Sequence, residues 1–265
     1  TITLGFPMTK LTVTLAQLNL LWENPIQNLA QITTLLENQL IPKTDLIVLP
    51  EMFTSGFTMD NVKIAETMNG RSVNWLRDTA KKYNCAITGS IPITVNGDIY
   101  NRLIFATPDK LEYYDKKHLF SMAGEHERYK AGNGLKIVSW RGWRINLQVC
   151  YDLRFPVWSR NQQNYDLLLY VANWPERRRA HWRNLLVARA IENQAHVIGV
   201  NRVGIDGKNI NYSGDSLLLN HLGELVQDCV NSEGLYSQTI DLDEQNVYQT
   251  KFPAYKDADK FSLHK

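Results

Sequence analysis

The chain has 265 residues, 44% of them hydrophobic, which is enough to bury one large core or the cores of two small domains. Its formal net charge is +2 with 21% charged residues, a balance that gives no electrostatic reason to expect nucleic acid or an anionic membrane as a partner. No apolar run approaches the roughly 20 residues of a membrane span.

The first half of the chain predicts strands and helices in alternation. Apolar and polar residues alternate over 11–19, as in a half-buried strand. The Asn-Pro step at 24–25 supplies a cap and a first helical residue for a helix to about Leu40. Apolar runs and spacing predict further strands at 46–49, 85–91 and 100–107, and a helix at 71–83. The step Asn96-Gly97 predicts a hairpin.

The second half repeats this rhythm. Strands are predicted at 136–139, 144–150, 166–172, 196–201, 217–219, 225–228 and 236–242. Helices are predicted at 156–161 and 178–194. Because no linker or low-complexity tract interrupts the pattern, we predict one α/β domain over residues 8–265, with residues 1–7 as an appendage. Two mixed sheets would pack face to face with helices outside.

The chain has three cysteines, Cys85, Cys150 and Cys229, which are widely spaced and form no CxxC pair. This pattern disfavours a disulfide framework or a zinc site and favours a reducing compartment, so we expect a cytoplasmic location. No two histidines stand at i,i+4, and we predict no metal site. His118 and His181 could each partner a cysteine in a papain-like pair, but Cys150 ends a predicted strand rather than opening a helix.

Cys150 and Glu51 each follow a predicted apolar strand where the chain enters a turn. A thiol at a strand-to-helix turn is exposed at the sheet edge, where backbone amides can hold an oxyanion, so Cys150 is a candidate nucleophile. Glu51, ringed by apolar neighbours, is a candidate general base. The alternatives are a buried packing cysteine and a glutamate that caps or solvates a loop.

Lys116 follows a strand that begins near Leu111, and alternation places it on the same side as Tyr114. A lysine with aromatic and apolar neighbours can lie close to a developing oxyanion, whereas the alternative is a lysine on a solvated face. Glu125 lies in an acidic, glycine-containing loop and alone indicates little.

Taken together, LPEMF, YDKKHLF and CYDLRFP resemble, in order and spacing, the three signature blocks of the nitrilase superfamily of carbon–nitrogen hydrolases. The resemblance extends from about Leu11 to Phe261. A narrower resemblance, to bacterial omega-amidases that hydrolyse 2-oxoglutaramate and similar ω-amides, rests on the segments LPEMFTSGF, FSMAGEHERYKAG, WRGWRI, CYDLRFPVWSRN, LYVANWP and ARAIENQA.

This resemblance implies an αββα sandwich, a homodimer through outward helices, a small-molecule amide as substrate, and no metal or organic cofactor. It implies a triad with Glu51 as base, Lys116 as charge stabiliser and Cys150 as nucleophile. Glu125 matches a second glutamate that assists the triad. In the implied mechanism, the backbone N–H of Tyr151 shares the oxyanion with Lys116.

Arg154 is a candidate for binding a substrate carboxylate, because guanidinium suits bidentate recognition of that group. Its alternative role is a salt bridge with Asp152 or Glu192. The aromatic residues that could line the pocket, or belong to the core, are Phe53, Phe57, Phe120 and Trp174.

The predicted function is therefore hydrolysis of the terminal amide of 2-oxoglutaramate or 2-oxosuccinamate through a thioester. The triad leaves open hydrolysis of nitriles or N-carbamoyl compounds. A non-catalytic binding protein on the same fold is a third possibility, disfavoured because all three triad residues are present.

Overall fold

The computed structural model describes residues 9–39 and 43–263. The predicted appendage at 1–7, the predicted domain start at Met8 and the predicted helix end at Leu40 lie outside these residues. None of the helices within the two described stretches is both long and apolar enough to cross a bilayer.

The first of two six-stranded mixed sheets is built mainly from the N-terminal half. Its strands are β1 (Lys10–Gln17), β2 (Leu46–Val48), β3 (Ala86–Val95), β4 (Asp98–Ala106), β5 (Leu111–Asp115) and β14 (Gly234–Asp241). They lie in the order β14-β1-β2-β3-β4-β5. The short, fully buried β2 pairs in parallel with both neighbours, and the remaining pairs are antiparallel.

The second sheet comes from the C-terminal half. Its strands are β6 (Ile137–Trp140), β7 (Trp143–Val149), β8 (Leu167–Ala172), β9 (His196–Asn201), β12 (Leu217–Leu219) and β13 (Leu225–Asp228). They lie in the order β13-β12-β9-β8-β7-β6, with β7, β8 and β9 parallel. A separate two-stranded ribbon consists of β10 (Val203–Ile205) and β11 (Asn211–Ser213).

The α-helices of the described residues are α1 (Pro25–Gln39), α2 (Asn61–Ile64), α3 (Arg71–Tyr83), α4 (Glu125–Arg128), α5 (Pro156–Ser159), α6 (Arg179–Asn193) and α7 (Leu242–Lys251). The longer helices α1, α3 and α6 cover the outer faces of the two sheets. Apolar side chains of the two sheets meet in one core, α1 and α3 pack on the first sheet, and α6 packs on the second. The predicted αββα sandwich is confirmed.

The hairpin predicted at Asn96-Gly97 is confirmed: Val95 pairs with Asp98, and both turn residues have positive φ. The helix predicted at 156–161 is shorter, since α5 ends at Ser159. The strand predicted at 236–242 ends one residue earlier, at Asp241, whose side chain accepts a hydrogen bond from Asp243 N and caps α7. The sequence did not predict α7, because its polar residues have no apolar period.

Candidate active site

The ends of three strands bring the predicted catalytic side chains together. Glu51 follows β2, Lys116 follows β5 directly, and Cys150 follows β7 directly, while Glu125 opens α4. The first two and Glu125 are fully buried, and Cys150 is half-buried. Three charged side chains removed from water must satisfy one another or be strongly destabilising.

Lys116 lies between the two glutamates. Its Nζ donates to Glu51 Oε1 at 2.9 Å and to both carboxylate oxygens of Glu125, at 3.0 and 2.9 Å. Burial alone would lower the pKa of Lys116, but the charges of Glu125 and Glu51 outweigh it and raise the pKa above its ordinary value. The lysine is therefore held as a cation beside the thiol.

Two asparagines that the sequence did not single out fix the Glu51 carboxylate. Asn101 Nδ2 donates to Oε1 at 2.8 Å, and the backbone N–H of Asn173 donates to Oε2 at 2.8 Å. Asn173 Nδ2 also donates to the Glu51 carbonyl oxygen at 2.5 Å. Asn173 directly follows β8, and a polar residue at the end of an apolar strand is a signal that could have revealed it. Asn101 is buried inside β4 and gives no such signal.

Glu125 is tied to the loop that precedes it. Its Oε2 accepts from the backbone N–H of Phe120 at 2.5 Å, and Asn101 Nδ2 lies 3.3 Å from its Oε1. Burial raises the pKa of Glu125, and the charge of Glu51 raises it further, although Lys116 lowers it. Two carboxylates therefore compete for one ammonium, so a proton is more readily accommodated here than on an isolated glutamate.

The backbone at Cys150 turns sharply out of β7. Its φ of 45° is a left-handed conformation, and residues 150–154 form one 3-10 turn. The predicted strand 144–150 therefore ends one residue earlier, at Val149. The fully buried Asp152 fixes the turn by accepting from Val149 N at 3.0 Å and from Tyr114 Oη at 2.8 Å. Tyr151 is in the first turn, where backbone N–H groups have no partner within the helix.

The Cys150 thiol is held in its protonated form. Burial raises the pKa well above its ordinary value, and the charge of Glu51 and a hydrogen bond to that carboxylate raise it further, while Lys116 acts in the opposite direction. A base must therefore remove the proton as the sulfur attacks. Glu51 is the carboxylate in position to do so.

The other two cysteines lie in the cores. Cys85 and Cys229 are fully buried, and burial raises the pKa of each thiol to about 12. A buried, uncharged thiol behaves as a small hydrophobic side chain. Both are therefore core residues and not candidate nucleophiles.

Cys150 opens onto a cleft of about 290 Å³. Of the aromatic candidates, those that line it are Phe57, Phe120 and Trp174. The fourth, Phe53, does not: it is fully buried in the core between the first sheet and its helices, and its ring centroid lies 6.0 Å from that of Trp75. Phe53 is therefore corrected from a candidate for lining the substrate pocket to a residue of the core, because no part of its ring reaches the cleft surface.

Arg154 lines the same cleft. Its Nη2 donates to His181 Nδ1 at 3.1 Å, and its guanidinium carbon lies 4.8 Å from the centre of the Trp174 ring. The predicted alternative, a salt bridge with Asp152 or Glu192, is not formed. Asp152 is occupied as described above, and Glu192 pairs with Arg189 at 3.0 Å.

Neither candidate histidine hydrogen-bonds to Cys150 within the described residues. His118 Nδ1 lies 2.7 Å from Asp152 Oδ1, and its ring stacks on Phe155 at 3.8 Å. His181 is the acceptor for Arg154. A papain-like pair is thus absent from the described residues, and in the same ranges no group of His, Cys, Asp and Glu could hold a metal ion.

Comparison with known proteins gives consistent matches over nearly the whole chain. A carbon–nitrogen hydrolase family model matches residues 12–251. The omega-amidase YafV of Yersinia enterocolitica is 47% identical over 97% of this chain and 100% of its own. The 2-oxoglutaramate amidase of Bacillus subtilis is 32% identical over 95% of this chain and 98% of its own.

One solved structure is similar in both fold and sequence. It is XC1258 from Xanthomonas campestris, a CN-hydrolase superfamily protein with an arsenic adduct in its active site. It has a TM-score of 0.94 and 44% identity, covering 97% of this chain and 100% of that one. The range matched by the family model, residues 12–251, includes Glu51, Lys116, Glu125 and Cys150.

Proposed function

Because the chain belongs to the carbon–nitrogen hydrolase family, whose reaction is hydrolysis of carbon–nitrogen bonds, we propose that it is an omega-amidase. Its substrates would be the terminal amides of 2-oxoglutaramate or 2-oxosuccinamate. The observation that carries the proposal is that buried Lys116 contacts both Glu51 and Glu125, while the Cys150 thiol opens onto a cleft that is lined by arginines.

In the first half-reaction, Cys150 transfers its proton to Glu51 while its sulfur attacks the amide carbon. The carbonyl oxygen becomes an oxyanion that Lys116 Nζ and the backbone N–H of Tyr151 stabilise. Glu51 then gives the proton to the amide nitrogen, the carbon–nitrogen bond breaks and ammonia leaves. A thioester remains on Cys150.

In the second half-reaction, Glu51 takes a proton from water as the water oxygen attacks the thioester carbon. The same donors stabilise the second oxyanion, the carbon–sulfur bond breaks, and Glu51 returns the proton to the Cys150 sulfur. The free acid leaves. Glu125 maintains the charge and position of Lys116 throughout, and the scheme calls for no metal or organic cofactor.

Arg154 would bind the free carboxylate of the substrate. The support is its position in the cleft and the absence of a carboxylate partner for it in the described part of the chain. A short dicarboxylic monoamide has its carboxylate a few bonds from the scissile carbon, and anchoring it would align that carbon with Cys150. Phe120 and Trp174 would form the apolar walls.

The test is ammonia release from 2-oxoglutaramate, glutaramate, uncharged amides, nitriles and N-carbamoyl compounds. Preferred turnover of the carboxylate-bearing amides supports the proposal, and mass spectrometry of acid-quenched enzyme should find the acyl group on the Cys150 peptide. Preferred turnover of nitriles or N-carbamoyl compounds would refute it in favour of another reaction of the family. Inactivity on the whole panel would indicate a binding protein.

We propose further that the protein is a cytoplasmic homodimer and that residues 8–265 form one domain. The three unpaired thiols support a reducing compartment. Exposed apolar Val157 on α5 and Ile191 on α6 support association through outward helices. Sedimentation equilibrium of the wild type and of Ile191→Lys tests the dimer, which the variant should weaken.

A further inference from the structure

The cleft above Cys150 carries more positive charge than amide hydrolysis itself requires. The cationic side chains that line it are Arg154, Arg177, Arg178 and Lys208. One carboxylate, Asp206, also lines it, but its Oδ1 accepts two backbone N–H groups of its own loop. Its Oδ2 accepts from the Tyr212 hydroxyl at 2.9 Å. The cleft thus presents a positive potential to any ligand that enters.

Arg178 differs from the arginines that follow it along α6. Those arginines are neutralised: Arg179 pairs with Asp215, and Arg183 pairs with Asp215 and Asp228. Arg178, one residue before the helix, has no carboxylate within ion-pair distance among residues 9–39 and 43–263. A half-buried guanidinium without a counter-ion is unusual, since an isolated charge is costly to remove from water.

The surrounding contacts hold this guanidinium against one wall of the cleft. Its carbon lies 5.4 Å from the centre of the Phe120 ring. The carbonyl oxygen of Arg178 accepts a hydrogen bond from Trp174 Nε1 at 2.8 Å. This bond fixes the Arg178 backbone to the indole ring on which the Arg154 guanidinium packs. Each of two aromatic walls therefore supports one guanidinium, and an aromatic face is a favourable support for such a group.

The charges of these arginines act on one another. Burial lowers the pKa of Arg178, and the neighbouring charges of Arg177 and Arg154 lower it further, whereas Cys150 acts in the opposite direction. An anion bound between Arg154 and Arg178 would relieve that repulsion. A cation at the same position would increase it.

We propose that Arg178 is a second anion contact that, with Arg154, binds the carboxylate end of the substrate and selects against ω-amides with an ammonium group beside that carboxylate. This inference rests on the proposed function and assigns its specificity to a residue that the sequence did not single out. Glutaramate and 2-oxoglutaramate enter as monoanions and are attracted. L-Glutamine has the same carboxylate and amide, but its ammonium group would be repelled by the guanidinium groups that have no carboxylate partner.

Binding to unreactive protein provides the primary test. All proteins carry Cys150→Ala so that no ligand is hydrolysed. Calorimetry would measure the affinities of glutaramate, L-glutamine and uncharged valeramide for the protein with Arg178 intact, for Arg178→Met and for Arg178→Lys. Methionine keeps an apolar chain on Phe120 and removes the charge, whereas lysine keeps the charge and loses the planar fork. Arg71→Met is the matched control, because Arg71 is exposed, forms no ion pair within the described residues and lies outside the cleft.

Arg178→Met should weaken glutaramate binding about 10- to 100-fold, the range for loss of a hydrogen bond to a charged group. Valeramide binding should change by less than about twofold, and the preference for glutaramate over L-glutamine should narrow. Arg178→Lys should keep most of that preference, and Arg71→Met should match the intact site. Equal weakening of glutaramate and valeramide, or unchanged glutaramate binding, would refute the inference.

Turnover separates this inference from the proposed function. These measurements use proteins that retain Cys150. If wild type hydrolyses glutaramate, and Arg178→Met has the same kcat/KM for glutaramate and the same preference for it over L-glutamine, the inference is wrong and the proposed function stands. If wild-type enzyme hydrolyses none of these amides, the proposed function is wrong. The binding results then decide the role of Arg178 independently.

Discussion

The ammonium of Lys116 lies 2.9 Å from the carboxylate of Glu51, and both side chains are fully excluded from solvent. A buried ion pair is stabilising only when its remaining hydrogen-bonding atoms find partners. Here Glu125 satisfies the lysine, while Asn101 and Asn173 satisfy Glu51. The result is a rigid base and a rigid cation beside Cys150, an arrangement that needs little reorganisation when charge develops on the substrate.

Replacing Cys150 with alanine should abolish turnover and leave the fold intact. The side chain is half-buried at a cleft, so its loss should cost about 1 kcal/mol of unfolding free energy or less. Iodoacetamide should modify Cys150 well before the fully buried Cys85 and Cys229. Peptide mass spectrometry after timed labelling measures this order, and equal labelling of all three would contradict the assignment.

Glu51→Gln keeps the shape of the side chain and removes the base. We expect a loss in kcat of at least about 100-fold, the lower end for general acid–base catalysis. Since Glu51 also raises the pKa of the Cys150 thiol, the variant should alkylate at lower pH than wild type. The rate of iodoacetamide labelling against pH measures this shift, and an unshifted profile in an active variant would exclude Glu51 as base.

Lys116→Met should lose both activity and stability. Loss of one oxyanion donor typically costs about 2.7–4 kcal/mol in the transition state. Two buried carboxylates would also lose their shared cation, which typically costs about 3–5 kcal/mol of stability. The double variant Lys116→Met with Glu125→Gln removes one of those carboxylates, so chemical denaturation should show recovered stability while ammonia release stays low. If the double variant recovered both its stability and its rate of ammonia release, Lys116 would have only a structural role.

The sequence predicted the strands of both six-stranded sheets and the main helices, and it placed the three triad candidates at the ends of strands, because these depend on apolar periodicity and on motifs that are continuous in the chain. The two-stranded ribbon of β10 and β11 was not predicted, since each of its strands has only three residues. Cys150 was placed within one residue of its strand end. The hydrogen bonds that hold the Glu51 carboxylate in place were not predictable in this way. Asn101 and Asn173 are separated from Glu51 by 50 and 122 positions, and only the pairing of strands brings them together.

Phe53 shows the opposite limit. It stands two positions after Glu51, and nothing local indicates whether such a ring faces the cleft or the core. The turn after β2 directs it toward Trp75, where it is fully buried.

Arg178 was missed because three consecutive arginines look alike in sequence. Only the structure separates Arg179, paired with Asp215, from Arg178, which lines the cleft.

Acid should destabilise the protein partly through His196. Burial lowers its pKa from 6.5 to about 4, so the folded state binds its proton less readily than the unfolded chain. The unfolded state therefore holds more protons between these values, and stability is lost as pH falls from about 6.5 to about 4, by up to about 3 kcal/mol. Urea denaturation should show a weaker pH dependence in His196→Gln. His126→Gln, at an exposed position, should retain the wild-type dependence.

Arg154→Ala tests the anchor for the substrate carboxylate. The guanidinium lies on Trp174 and donates to His181, so its removal leaves a gap at the cleft and no unpaired buried charge. We expect kcat/KM for glutaramate and 2-oxoglutaramate to fall about 10- to 100-fold, since a hydrogen bond to a charged group is lost. Uncharged propionamide should be affected much less. His181→Phe is the companion variant: it removes the acceptor that orients Arg154 and should produce a smaller loss on the same substrates. Equal losses on charged and uncharged amides would mean that Arg154 only shapes the cleft, and the carboxylate would then have to be bound by the remaining arginines.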